Sequence, residues 1–354
     1  MSSSYQLSAT QWKQRLAGYA LPETRRSLGQ LLVSLLLFAL AISLAHAAHA
    51  VNWILGLPLS ALAGLLIVRL FIIQHDCGHR SFFRDVRACD WVGQGLSVIT
   101  CMPYGFWRRD HDKHHATSGD LDRRGYGDID TLTIDEFRAL GPWRRLAYRA
   151  YRNPLVLMGI GPAWQFLIRY RVPILAKSRS RRGDVLSILG HDAGLAVFFG
   201  GLCLMLGWTA VAVVWLPAML VAATVGVWMF YVQHQHADTY WRRHADWSFV
   251  DAALQGSSYY SLPAWMHWLT GNIGYHHIHH LSSRIPNYQL SRAFADIDEL
   301  RQGPAIGILE SLRGVTLALW CERRSRLVSF REARRAFAAR HPAIHGRETA
   351  SSMP

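Results

Sequence analysis

Eighteen histidines lie in this 354-residue chain, and nine of them fall in three short runs, eight at helical spacing. His75-Asp76-Cys77-Gly78-His79 places two imidazoles four residues apart. His111-Asp112-Lys113-His114-His115 places three at i, i+3 and i+4, and His276-His277-Ile278-His279-His280 repeats that spacing with His276, His279 and His280. On a helix these spacings bring the members of a run onto one face. An isolated pair at this spacing serves packing or solvation as readily as chemistry; three runs together do not arise so cheaply. Burying eight imidazoles without partners is costly, and clustering them protonated adds like-charge repulsion. A metal removes both penalties. Zinc, copper, iron and nickel all suit imidazole, but a closed zinc site takes only four ligands. Eight ligands fit two transition ions with positions left open to oxygen, which points to redox chemistry.

Further residues are candidates around these runs. Asp76 and Asp112 each adjoin a candidate ligand and are placed to accept a hydrogen bond from an imidazole; capping or solvating a helix end is the alternative. In Gln233-His234-Gln235-His236, either His234 or His236 completes the metal shell, unless both are simply interface histidines at a helix end. Asn272, four residues before His276, is a candidate holder of a metal-bound water. His46 and His49 lie far from the clusters, and His191, His244, His267, His341 and His345 read as structural. His341-Pro342 lacks the surroundings of a haem domain, so an electron carrier within this chain is not expected.

The elements that must position these residues are apolar and long. Hydrophobic residues make up 51% of the chain and are bunched into runs rather than spread periodically. Residues 31–50, 53–74, 188–206 and 211–231 are each long enough to cross a hydrocarbon core of about 30 Å. Arg69 interrupts the second run near one end, where it is expected to snorkel to the surface. Formal net charge is +14, a value that would also suit nucleic-acid binding. The placement of the charge decides. Of 38 Lys and Arg residues, 4 precede the first span, 19 separate the second from the third and 14 follow the fourth. The short turns at Val51-Asn52 and Gly207-Trp208-Thr209 carry none. This is the positive-inside pattern, with both termini and the middle segment cytoplasmic, and nucleic acid is not needed to explain it. Residues 91–107 and 153–168 are apolar but are read as interfacial or re-entrant, because a crossing by the first would strand the histidine runs on opposite faces.

The expected organisation is a cytoplasmic segment 1–30, a transmembrane hairpin 31–74, and a first cap segment 75–187 with two histidine runs. A second hairpin 188–231, a second cap segment 232–312 with the third run, and a basic, helix-prone segment 313–354 follow. The N-terminus does not resemble a signal peptide. Five cysteines without a CxxC pair argue against a disulfide framework and for a reduced compartment.

The three runs resemble the HxxxH, HxxHH and HxxHH boxes of membrane fatty acid desaturases. The stretches GDLDRRGYGDIDTLT, QHQHADTYW and GNIGYHHIHHLSSRIPNY are similar to bacterial acyl-lipid desaturases of the delta-12 (omega-6) type, and the likeness runs from about Gln74 to Phe294. The resemblance implies an all-α integral membrane fold: four transmembrane helices in two hairpins, with a cytoplasmic helical cap holding a histidine-ligated di-metal site. It also implies two iron ions on the eight box histidines, with His234 the best match for a further ligand. The implied reaction uses O2 and two external electrons to introduce a cis double bond into a membrane acyl lipid. The electrons would come from a ferredoxin or a b-type cytochrome, and the location would be the bacterial inner membrane. An acyl C–H offers no acidic proton, so side-chain acid–base chemistry alone cannot remove it. Basic residues around the cap would attract an acidic carrier, though a solvated face explains them as well. Two alternatives remain at this point. One is a hydroxylase or ketolase with the same boxes, acting on an alkyl chain or carotenoid. The other is a non-catalytic metal-handling membrane protein, which the absence of polar groups along the spans disfavours.

Overall fold

A short helix α1 (Ala9–Leu16), closed at its start by a Ser8–Gln11 capping box, precedes two long apolar helices in the computed structural model, which describes residues 7–176 and 182–338. These are α2 (Thr24–Val51) and α3 (Trp53–Gly78), separated by Asn52 alone. Asn52 is extended, and its side chain accepts a hydrogen bond from the Ile54 amide at 2.9 Å, so one residue both ends α2 and caps α3.

Next come α4 (Val86–Thr100) and α5 (Tyr104–Thr117). The apolar stretch 91–107 is therefore not one helix. Cys101 turns into the left-handed region at φ 51°, and Pro103 sits just ahead of α5. A side chain at Gly93 would lie 2.3 Å from the Tyr104 ring, so the return of α5 onto α4 requires glycine there. Strand β1 (Leu132–Thr133), α6 (Ile134–Ala139) and α7 (Pro142–Tyr151) follow. The second apolar stretch is helical with two π-turns, Val156–Ile160 and Gln165–Arg169, on either side of α8 (Gly161–Trp164). Leu155, Ile160 and Trp164 point outward from it.

Helices α9 (Arg182–Leu206) and α10 (Trp208–His234) form the second long pair, joined at Gly207, whose φ of +83° a side chain would strain. All four long helices are long and apolar enough to cross a membrane, and each contains one of the expected spans. They extend past the apolar runs: α3 continues to Gly78 and α10 to His234, so histidines stand on rigid last turns rather than in loops. The central helix α3 packs against α2, α4 and α10. Small residues allow the close approach. Ala41, Ala63, Ala218 and Ala222 are buried between helices, and a side chain at Gly64 would collide with the Ala218 carbonyl. Leu36, Leu40, Val197 and Leu204 face outward, an apolar surface suited to hydrocarbon. Arg69 departs from expectation. It does not snorkel but is buried inside the helix group.

The remaining elements are α11 (Phe249–Leu254), β2 (Tyr259–Tyr260), α12 (Ala264–Leu269), α13 (His276–Leu281), α14 (Asn287–Asp296), β3 (Ala305–Ile306), α15 (Ile308–Gly314), β4 (Leu317–Cys321), β5 (Arg326–Ser329) and α16 (Phe330–Ala338). Trp12 and Leu16 of α1 pack with Ile278, Leu281 and Leu290, so the N-terminal helix floors the third histidine run. The chain is mostly helical, as expected, with five short strands beside the helices among the described residues. Strands β4 and β5 pair antiparallel, β1 joins β4 in parallel, and β2 pairs with β3. The segment beyond Arg313, expected to be helical, thus begins as a β-hairpin. Ser325 takes a left-handed φ of 46° in its turn, and Ala318, Leu319, Trp320, Leu327 and Val328 are buried. His341, His345 and the tail lie outside the described residues.

Candidate metal centre

Four helices converge on the site, and each contributes through its own spacing. α3 brings His75 in its last turn and His79 at its C-cap. α5 brings His111, His114 and His115, α10 ends in His234, and α13 carries His276, His279 and His280. The nine imidazoles form two adjoining groups. One nitrogen each of His75, His79, His111, His115 and His279 lie within 4.8 Å of one another, as do those of His114, His234 and His280. His276 joins the second group, its Nε2 lying 2.9 Å from that of His234 and 3.1 Å from that of His280.

The nitrogens face each other in a way that hydrogen bonding between neutral rings does not explain. His114 donates from Nδ1 to Asp128 Oδ1 at 2.5 Å, and His234 from Nδ1 to the Gly256 carbonyl at 3.3 Å. In a neutral imidazole with Nδ1–H occupied, Nε2 carries a lone pair. The two Nε2 atoms are nevertheless only 3.2 Å apart. In the other group, Nε2 of His75 is 3.0 Å from that of His111, His111 is 3.1 Å from His115, and His115 is 3.0 Å from His279. Converging lone pairs repel unless a cation sits among them. Imidazole–metal bonds of about 2.1 Å at right angles would place neighbouring nitrogens roughly 3.0 Å apart. The donor set therefore fits a metal ion in each group, and five donors around one ion leave room for a further ligand.

Electrostatics point the same way. Burial holds His79, His111, His115, His276, His279 and His280 well below the usual histidine range, and neighbouring imidazoles push them further down. They are neutral at pH 7, the form that binds metal. Trp107, four residues before His111 in α5, stacks on its ring with centroids 4.7 Å apart and planes 17° apart, fixing the ring's orientation.

The other expected residues divide. Asp76 Oδ1 lies 3.3 Å from His75 Nδ1, while its Oδ2 accepts from the Asn287 amide at 2.7 Å and from Asn287 Nδ2 at 2.8 Å. Asp112 is exposed and faces Arg80, Arg108 and Arg284; among the described residues it has no hydrogen bond to an imidazole. Asn272 takes a left-handed φ of 56° in the turn before α13, a conformation asparagine tolerates. His234 rather than His236 joins the site. His236 is buried two residues beyond, its pKa pushed down to about 3 by burial, with Nε2 unpartnered among the described residues. His191 donates from Nε2 to the Ser97 carbonyl and accepts from Arg171, His244 binds Asp120, and His267 stacks on Tyr275. His46 and His49 stand at the far end of α2.

Asp128 and Trp107 make contacts with the imidazoles that spacing alone did not assign. Trp107 had a legible signal, an aromatic residue one turn before a histidine on the same helical face. Asp128 had none, because the loop after α5 brings it back to His114 in space and not by any periodicity.

Comparison with known proteins gives the same direction. A family model described as fatty acid desaturase matches residues 51–307. A fatty acid desaturase of Bacillus subtilis is 40% identical over 321 residues, covering 91% of this chain and 90% of that protein. An sn-1 oleoyl-lipid 12-desaturase of Synechocystis sp. is 31% identical, covering 67% of this chain and 66% of the relative. An sn-1 acyl-lipid omega-3 desaturase (ferredoxin) of Synechocystis sp. is 26% identical over 77% of this chain and 75% of the relative.

Proposed function

The chain belongs to the fatty acid desaturase family, whose members are oxygen-dependent oxidoreductases, and we propose that it is a membrane acyl-lipid desaturase of the delta-12 (omega-6) kind holding two iron ions. The observation that carries the metal reading is the 3.2 Å approach of the His114 and His234 Nε2 atoms, both with Nδ1–H already engaged. His75, His79, His111, His115 and His279 are assigned to one ion, and His114, His234, His276 and His280 to the other.

Bound iron would supply the oxidising chemistry, in which O2, two external electrons and two protons convert a CH2–CH2 unit to a cis CH=CH unit and two waters. The protein's own part is to hold donors in place and keep them neutral. Asp128 and the Gly256 carbonyl fix the tautomers of His114 and His234, Trp107 fixes the ring of His111, and burial disfavours protons on His79, His111, His115, His234, His276, His279 and His280. The 12-desaturase relative at 31% identity supports the regiochemistry, and the relative named with ferredoxin supports a ferredoxin as donor, with a b-type cytochrome as the other option.

The same geometry supports a topology. The ends of α3 and α10 meet in one site, so they stand on the same side of the membrane. The loop between α3 and α9 is on that side too, and it holds 18 of the Lys and Arg residues. Two transmembrane hairpins, with a cytoplasmic cap and both termini cytoplasmic in a bacterial inner membrane, satisfy both observations.

The test is expression in a host lacking polyunsaturated lipids, with iron and a reduced donor supplied, followed by gas chromatography of the fatty acids. A new cis double bond at the twelfth carbon is expected. Unchanged fatty acids would overturn the assignment, and an oxygenated product would redirect it to a hydroxylase.

A further inference from the structure

Arg69 is the one Lys or Arg residue within the four expected spans. It is only 5% exposed, and among the described residues it forms no ion pair with a carboxylate. A guanidinium at such depth is costly to bury, and residues of this kind usually hold something in place or act on it. Its partners show which. Nε donates to Ser34 Oγ of α2 at 2.9 Å, Nη1 donates to the Trp268 carbonyl in the last turn of α12, and the guanidinium lies 4.0 Å over the Trp268 ring. That carbonyl is at the C-terminal end of a helix, where a positive charge is favoured, and it accepts from the Gly271 amide as well.

We propose that Arg69 is a positioning residue that registers the third histidine run against the first, so that His279 reaches the imidazoles of α3 and α5. Two turns of α3 separate it from His75 and Asp76, and Arg69, Ile72 and Asp76 grip one segment of chain. Arg69 holds its upstream end at Trp268. Ile72, one turn on, packs against Gly271, where a side chain would lie 2.7 Å from Ile72 Cγ2 and the φ is +53°. Asp76 holds the downstream end through the backbone and side chain of Asn287. Gln30 of α2 pairs with the same Asn287, its Nε2 donating to Oδ1 at 2.8 Å, and Ser34 donates to the Gln30 carbonyl at 2.6 Å. The run carrying His276, His279 and His280 is thereby clamped at both flanks by the helix that carries His75. Lysine cannot reproduce this, because a single ammonium has neither the fork that reaches Ser34 and Trp268 together nor the flat face that stacks on the indole.

This inference rests on the reading that the imidazole groups bind metal, and the experiment separates the two. Metal-free protein in detergent is titrated anaerobically with Fe(II), and bound iron per chain is measured alongside the melting temperature of the metal-free form. For Arg69→Met, iron affinity is expected to fall about tenfold, the scale of lost support around a metal-bound histidine. Arg69→Lys is expected to fall between Met and wild type. Ser34→Ala, which removes the Nε acceptor and one hydrogen bond within α2, should weaken iron binding a few-fold with a melting temperature close to that of wild type, and it decides the matter if Arg69→Met does not fold. Folded variants that bind iron as wild type does would overturn the positioning role alone. Wild-type protein that binds no iron would overturn the metal reading beneath it.

Discussion

Removing the Asp128 carboxylate tests how much of the centre depends on a residue that touches no metal. Asp128 Oδ1 accepts from His114 Nδ1 at 2.5 Å, and the carboxylate is nearly shielded from solvent at 8% exposure. A buried hydrogen bond to a charged group contributes about 1.5–3 kcal/mol. At about 1.4 kcal/mol per factor of ten, that is roughly a 10- to 150-fold change in affinity. This range overlaps the roughly 10- to 100-fold loss seen when an outer partner of a metal-bound histidine is removed. Asp128→Ala should therefore weaken one ion by that factor and spare the other, because His114 belongs only to the four-imidazole group. Asp128→Asn keeps an acceptor without the charge and should fall near the lower limit. Anaerobic Fe(II) titration against a competing chelator resolves the two affinities, and gas chromatography of lipids measures the activity that follows. If Asp128→Ala binds both ions as wild type does and desaturates within twofold of it, the carboxylate does not support His114 and the reasoning fails.

The two imidazole groups should also separate by mutation. His79→Ala should lose the ion of the five-imidazole group and His234→Ala the other, each leaving about one iron per chain by elemental analysis, and both should abolish desaturation. His236→Ala should retain two ions and measurable activity, since His236 stands outside both groups; loss of an ion would show that it is a ligand after all. Acid should destabilise the metal-free protein. The folded-state pKa values of His236 and His277 are lowered to about 3 and about 4 by burial. Below the ordinary histidine value of about 6.5 the unfolded chain therefore takes up protons that the folded chain refuses. Stability is full above that value and should fall as pH drops toward 4, as followed by thermal melts; a melting temperature constant from pH 7 to 4.5 would contradict it.

The long helices and the histidine runs were legible because both are local. A charge-free stretch of twenty residues reads as a span without any knowledge of its neighbours, and a spacing of four reads as one helical face. The failures share a different cause. Arg69 reads as a snorkelling residue when only its distance from the end of the apolar run is known; that Ser34 and the Trp268 carbonyl are waiting for it is decided by α2 and α12. His234 and His236 are equivalent by position, and the backbone leaving its helix at Gln235 separates them. The strands β4 and β5 were missed because their buried residues run together rather than alternate, and because the turn between them is dense in charge. Asp112, beside a ligand in sequence, faces solvent arginines instead, while Asp128, fourteen residues from His114, makes the contact.

The spacing of the second and third runs has a consequence that one face per run does not capture. In α5, His111 and His115 turn to the five-imidazole group and His114 to the other; in α13, His276 and His280 turn to the four-imidazole group and His279 to the first. Each trio is split, a pair four apart going one way and the residue between them going the other, since adjacent helical residues diverge by about 100°. The first run needs no third histidine because α3 lies beside only one group. Two helices that each serve both groups tie the groups together: a shift of α13 cannot improve one donor set without disturbing the other. The separation of the two metal positions is then a property of helix geometry, set by α5 and α13 rather than by any loop. With an ion in each group, as proposed, helix geometry would hold the two at one fixed separation.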